Sequence, residues 1–233
     1  MPQVRANGID IAYESFGRTT DPAILLIMGF SGALVGWPDS LCAGLAAKGF
    51  RVIRFDNRDI GQSTHLDALG QPDLKALIAE ATAGKPVAAP YALDDMANDA
   101  IGLIDALGIA RAHVVGASMG GMIAQLVAMS HPERAKSVVS IMSTTGRRDL
   151  PPGKPEAFAA LMTPPASAAR EDRIARGLMV WRVIGSPGFP ATEEELTAYV
   201  TRSADYAPYD PVGIARQMAA VLAAPPATSG CGR

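Results

Sequence analysis

With 233 residues, 48% of them hydrophobic, and a formal net charge of −2, the chain is long enough for one full α/β core with an insertion and short for two independent domains. The near-neutral balance offers no basic surface to nucleic acid or an anionic membrane. Two cysteines, Cys42 and Cys231, make no disulfide framework, and the N-terminus lacks a signal peptide's apolar core, so the expected setting is cytoplasmic with no membrane span.

In chain order, residues 3–16 alternate apolar and polar around Asn7-Gly8, the pattern of a two-residue hairpin. Residues 23–28 (A-I-L-L-I-M) form a continuous apolar run, as a strand covered on both faces requires. The run ends in a loop, Gly29-Phe30-Ser31-Gly32. Trp37, Leu41 and Leu45 share helical spacing and predict a helix over 37–48 that stops at Gly49. Cys42 falls inside it and reads as a small buried residue. Residues 51–55 are the next strand, followed by the loop D-N-R-D-I-G-Q-S (56–63). Met96, Ala100, Leu103, Ile104 and Leu107 line one face of a helix predicted over 93–107. A short strand over 112–115, a second apolar helix and a buried strand over 137–142 follow. This alternation predicts a mostly parallel sheet with helices on both faces.

From about residue 147 the pattern changes. Prolines cluster at Pro151, Pro152, Pro155, Pro164 and Pro165, and only helical stretches follow, over 170–184, 193–204 and 211–223. The expected division is an α/β core over 1–146, a helical lid over 147–210, and a returning core helix with an irregular tail over 211–233. A smaller insertion over 66–91 is expected to add a helical flap.

The chemistry concentrates at Gly116-Ala117-Ser118-Met119-Gly120, set between the strand over 112–115 and an immediate helix. This is the context a G-x-S-x-G nucleophile elbow requires. Small residues suit so tight a turn, and the turn would hold Ser118 Oγ at the top of the sheet with the first amides of the helix beside it. The spacing fits neither G-x-G-x-x-G nor a Gly-Lys-Ser/Thr phosphate loop. The loop after the third strand supplies the natural second half of an oxyanion hole, with the backbone N–H groups of Phe30 and Met119 as donors. His113 lies at the far end of the elbow strand and His131 beyond the elbow helix, and both read as structural. His65 follows the fourth strand on the carboxyl side of the sheet, where ligands bind in such folds, and is the candidate base. Asp149 is the candidate acid. Asp56 and Arg58 read as braces of their loop.

The segments L-L-I-M-G-F-S-G-A-L-V-G-W-P-D (25–39), V-I-R-F-D-N-R-D-I-G-Q-S (52–63), A-H-V-V-G-A-S-M-G-G (112–121) and W-R-V-I-G-S-P (181–187) resemble the lid-bearing α/β-hydrolase fold superfamily. Within it the chain is similar to the aclacinomycin methylesterase group, from the N-terminus to about residue 224. The resemblance implies Ser118 as nucleophile and Phe30 and Met119 as oxyanion donors. Members of the group continue with a seventh strand, a loop bearing the catalytic Asp, an eighth strand and a G-x-G-H-type loop bearing the His. Residues 225–233, P-P-A-T-S-G-C-G-R, carry no strand pattern, so those two residues map onto no position here and the fold is expected to lack its last strands.

The reading is a serine carboxylic ester hydrolase, acting through an acyl-enzyme on small or medium apolar esters without cofactor or metal. Ser118 argues against the epoxide hydrolases and haloalkane dehalogenases of this fold, which use an Asp nucleophile. Two alternatives stand: a catalytically impaired scaffold that binds a small ester or a partner, and a serine perhydrolase or carbon–carbon bond hydrolase. The strand over 138–142 is expected to be an uncovered apolar edge, and such an edge favours a homo-oligomer.

Overall fold

The structure is a computed structural model describing residues 1–147, 149–151 and 153–227; Cys231 lies outside the described residues. The chain folds as two compact units, Met1–Arg148 with Asp210–Arg233, and Asp149–Tyr209. In the first unit a six-stranded sheet has the order β1-β2-β4-β3-β5-β6. Strands β1 (Gln3–Ala6) and β2 (Ile9–Phe16) pair antiparallel across Asn7-Gly8. Their φ values of 46° and 80° are those of the primed turn that matches strand twist. Strand β2 pairs antiparallel with β4 (Arg51–Phe55), while β3 (Ala23–Ile27), β4, β5 (Ala112–Ala117) and β6 (Ala135–Ile141) run parallel.

The period-two geometry of a strand sorts the apolar run of β3 onto two cores. Ala23, Leu25 and Ile27 join helices α3 (Leu93–Ala106) and α4 (Met119–Ser130) and Ala220 of α8 (Pro211–Ala223). Ile24, Leu26 and Met28 pack with Trp37 and with Cys42 of α1 (Asp39–Ala47). All five residues of β3 are buried, as a strand between two layers must be. The helix predicted from Trp37 starts at Asp39 instead. Trp37 precedes Pro38, whose ring forces it out of the α region, to φ −83° and ψ 112°. Its indole is still buried, so the apolar signal was one of packing and not of helix. The 66–91 segment holds a 3-10 turn, Asp67–Leu69, and a short α-helix, α2 (Leu74–Thr82), which packs against α8.

Strand β6 is the sheet edge, and Val139, Ile141 and Met142 are exposed along it. The second unit consists of α5 (Pro155–Met162), α6 (Arg170–Ile184) and α7 (Glu193–Tyr206). Trp181 meets Tyr199 edge-to-face with centroids 5.1 Å apart, joining α6 to α7. Arg176 donates to the carbonyls of Leu161 and Thr163 at 2.7 and 3.0 Å, closing the free C-terminal end of α5 with a cation. No described helix is long and apolar enough to cross a membrane.

Candidate active site

Strand β5 delivers the chain into Ser118 and α4 begins one residue later. Ser118 stands at φ 54° and ψ −121°, a conformation that costs a non-glycine residue about 1–3 kcal/mol and persists only where its surroundings enforce it. They do so here. The Ser118 N–H donates to Ile141 C=O at 2.9 Å, and the Ser143 hydroxyl donates to Ser118 C=O at 2.7 Å. A Cβ on Gly116 would stand 1.9 Å from Gly120 O, and one on Gly120 would stand 2.2 Å from Ile27 O. Only glycine lets the elbow close at these points. Gly116, Ala117, Met119 and Gly120 are buried while Ser118 is exposed.

The same packing brings the loop after β3 against the elbow. A Cβ on Gly29 would lie 2.9 Å from Ala117 O and 3.0 Å from Ser118 Cβ. Phe30 and Met119 therefore flank one contact, Gly29 on Ser118. Among the described residues, neither the Phe30 N–H nor the Met119 N–H has a hydrogen-bond partner. The Met119 N–H is also one of the free amides at the positive end of α4.

Four non-glycine residues with positive φ follow the carboxyl ends of four successive strands: Ser31 after β3, Asp59 after β4, Ser118 after β5 and Met142 after β6. Strain is concentrated on the side of the sheet where ligands bind in parallel α/β folds.

The loop after β4 braces its neighbours. Asn57 Nδ2 donates to Met28 C=O at 2.9 Å and Asp56 Oδ1 accepts from Leu34 N–H at 2.7 Å, gripping the β3 loop from both sides. Arg58 makes two bonds to the buried Asp99, at 2.6 and 2.7 Å, and lies over the Tyr91 ring. Both residues thus serve the bracing that the sequence suggests.

His65, on the same loop, faces Asp210 Oδ2 with Nδ1 at 2.6 Å and Gly61 C=O with Nε2 at 3.2 Å. Both ring nitrogens thus meet acceptors. That environment fits a doubly protonated ring and leaves no lone pair for a proton from serine. Among the described residues, no hydrogen bond joins His65 or any other side chain to Ser118 Oγ. His113 is bonded to Ser137 and His131 to Asn98. Asp149 opens the second unit, and the carboxylate on His65 is Asp210, not Asp149. The geometry therefore brings Ser118, Met119 and the Phe30 loop together and places His65 on Asp210 and Gly61. Among the described residues, no group of three His, Cys, Asp or Glu side chains is placed to hold a metal ion.

Burial alone would lower the His65 pKa, but the Asp210 and Gly61 hydrogen bonds and the charges of Asp210 and Asp59 outweigh it and hold it above its ordinary value. For Asp210, burial is opposed by the Gly213 N–H, by His65 and by the Val212 N–H, and the net direction is downward. The raised histidine adds stability below about pH 6.5, lost as pH climbs through its folded pKa. The lowered aspartate adds stability above about pH 4, lost as pH falls through its own. The Tm advantage of the native protein over His65→Gln is therefore expected to be greatest near about pH 5 and to shrink on the alkaline side. Thermal denaturation from acid to alkaline pH checks this; an advantage that grows with pH contradicts it.

No local sequence signal points to the α8 contacts. Asp210 caps α8, accepting from the Val212 and Gly213 N–H groups at 3.0 Å each, while its other oxygen holds His65. The Asp210-Pro211 pair is a readable helix start, but the loop it grips is some 145 residues away in the chain.

The chain that carries this serine has matches among known proteins. A family model described as alpha/beta hydrolase fold covers residues 22–186. The chain belongs to the alpha/beta hydrolase fold family. It is similar to the rhodomycin D methylesterase DauP of Streptomyces sp. (strain C5), with 37% identity over 121 residues, 52% of this chain and 35% of that protein. It is also similar to the rhodomycin D methylesterase DnrP of Streptomyces peucetius, with 28% identity over 200 residues, 78% of this chain and 61% of that one. The chain thus spans about one third and three fifths of the lengths of these relatives. In fold it resembles the enol-lactonase of Burkholderia xenovorans LB400, with a TM-score of 0.67 and 24% identity over 98% of this chain and 76% of that one. As a member of this family, the protein has a mostly parallel sheet with helices on both faces.

Proposed function

We propose that this family member hydrolyses carboxylic esters with Ser118 as nucleophile. The observation that carries the reading is the elbow: an exposed hydroxyl at φ 54°, at the start of α4, flanked by two N–H groups without partners among the described residues. Ser118 Oγ attacks the ester carbonyl carbon, and the carbonyl oxygen takes its negative charge facing the Phe30 and Met119 N–H groups. The alkoxide leaves as the alcohol, taking up the proton that Ser118 Oγ gives up, and water then adds to the acyl carbon, releasing the acid and returning a proton to Ser118 Oγ. Losing one such donor costs about 3 kcal/mol of transition-state stabilisation. The half-buried Phe30, on the loop packed against Ser118, favours small or medium apolar esters, and the methylesterase names of two relatives favour a short alcohol.

The test is hydrolysis of p-nitrophenyl acetate and butyrate, with and without a serine-reactive fluorophosphonate. Peroxide-dependent halogenation in place of ester turnover would favour a perhydrolase. A second reading, a scaffold that binds an ester without turning it over, is favoured by one observation: Ser118 Oγ has no hydrogen-bonded base among the described residues. Absence of both labelling and turnover would select it.

The exposed β6 edge supports a further proposal, that two copies pair through it, since a row of unpaired strand groups flanked by Val139, Ile141 and Met142 is a template for another strand. Light scattering at micromolar concentration is expected to give a dimer; a monomer throughout would contradict it.

A further inference from the structure

Gln217 on α8 is completely buried, and its carboxamide spans two loops that leave the sheet. Oε1 accepts from the Ser31 N–H at 3.0 Å and Nε2 donates to Arg58 C=O at 3.0 Å. A donor on one side and an acceptor on the other fix the orientation of the amide. Ser31 follows Phe30 directly, 186 residues before Gln217 in the chain.

The turn that carries Phe30 needs such a partner. Gly29-Phe30-Ser31-Gly32 is closed by the Gly32 N–H bonding to Gly29 C=O at 3.1 Å, and Ser31 has φ 58°. That is the positive φ a type II turn demands at its third residue, where glycine or asparagine is preferred. A serine there is strained, and its N–H needs an acceptor outside the turn. Gln217 supplies it. Two other clamps, Asn57 on Met28 C=O and Asp56 on the Leu34 N–H, secure the ends of the loop, so Gln217 grips its apex.

We propose that Gln217 is the positioning residue of the oxyanion hole: by holding Ser31 in the left-handed conformation it sets where the Phe30 N–H stands against Ser118. This rests on the serine hydrolase reading above. Without the acceptor, the Phe30–Ser31 peptide turns over toward the type I form that serine prefers, and the turn shifts against the contact of Gly29 with Ser118. The substrate has not yet developed charge when it binds. A displaced donor therefore lowers kcat and leaves KM nearly unchanged.

The experiment compares the native protein with Gln217→Met and Gln217→Glu on p-nitrophenyl butyrate, with hydrogen exchange read over residues 28–34. Gln217→Met is expected to lose about 10²-fold in kcat with KM within about twofold, and to exchange faster over 28–34 while the elbow segment, 112–130, is unchanged. Gln217→Glu, whose neutral carboxyl can make both bonds, is expected to recover kcat to within about threefold of native. A general structural role would instead quicken exchange across both segments and leave Glu no better than Met. If Gln217→Met does not fold, Gln217→Asn serves: one methylene shorter, it cannot span both partners and should show the same loss in kcat. Unchanged kcat in a folded Met or Asn variant, or a loss without faster exchange over 28–34, overturns the proposal while native turnover upholds the hydrolase reading. A native protein with neither turnover nor labelling at Ser118 overturns that reading, and this one with it.

Discussion

Ser118→Ala is expected to lower kcat for p-nitrophenyl butyrate by about 10³-fold or more, with stability within about 0.5 kcal/mol of native. The loss is large because the hydroxyl is the bond-forming group. What remains is the acceleration that binding and the oxyanion donors give to attack by water. The stability change is small because the side chain is exposed and Ser118 Oγ has no hydrogen bond to forfeit among the described residues. Ser118→Gly sharpens the argument. It should be equally inactive yet more stable by about 1 kcal/mol, because glycine adopts the 54° φ of this position without strain. A non-glycine residue held where glycine would stabilise the fold is the mark of a position kept for its side chain. Steady-state kinetics and denaturant titration of the two variants check both halves; full turnover by either removes Ser118 from the mechanism.

The second large effect is expected at Arg216, whose replacement by Met should cost about 3–5 kcal/mol and lower Tm by about 10 °C. Its side chain is fully buried on α8 and makes two bonds to the equally buried Asp59, at 2.9 and 2.7 Å. It also donates to Gly70 C=O at 3.0 Å. Removing the cation takes both guanidinium bonds from the buried Asp59 carboxylate, which keeps the Leu66 N–H at 2.7 Å. The penalty is that of an uncompensated charge, not the worth of the pair. Asp59→Asn in the Arg216→Met background should therefore restore a large part of the loss, since asparagine tolerates the 66° φ found there and carries no charge. Thermal unfolding of the single and double variants tests this. Additive losses would contradict it.

These two residues mark the boundary of what the sequence discloses. The elbow was legible because it is local: strand, glycine, serine, glycine and helix fall within about a dozen residues, and each is required by the same tight turn. The hairpin at Asn7-Gly8 and the helix over Leu93–Ala106 were legible for the same reason, since turn chemistry and helical periodicity are short-range signals. The contacts of α8 were not. Its sequence, P-V-G-I-A-R-Q-M-A-A-V-L-A, reads as an apolar helix returning to the core, and nothing nearby says that Arg216 takes Asp59 or that Gln217 takes Ser31. A buried Arg-Gln pair in an otherwise apolar helix was the available hint, because polar groups enter a core only with partners. His65 shows the complementary case. Topology puts it on the carboxyl side of the sheet, but only the folded structure shows both its nitrogens facing acceptors.

The most direct test of Ser118 as nucleophile is mass mapping after treatment with a fluorophosphonate, run beside p-nitrophenyl butyrate hydrolysis. The account predicts stoichiometric modification of the peptide containing Ser118, loss of turnover in step with labelling, and no adduct on Ser118→Ala. Hydrolysis that continues with Ser118 unmodified, or an adduct on another residue, would contradict it.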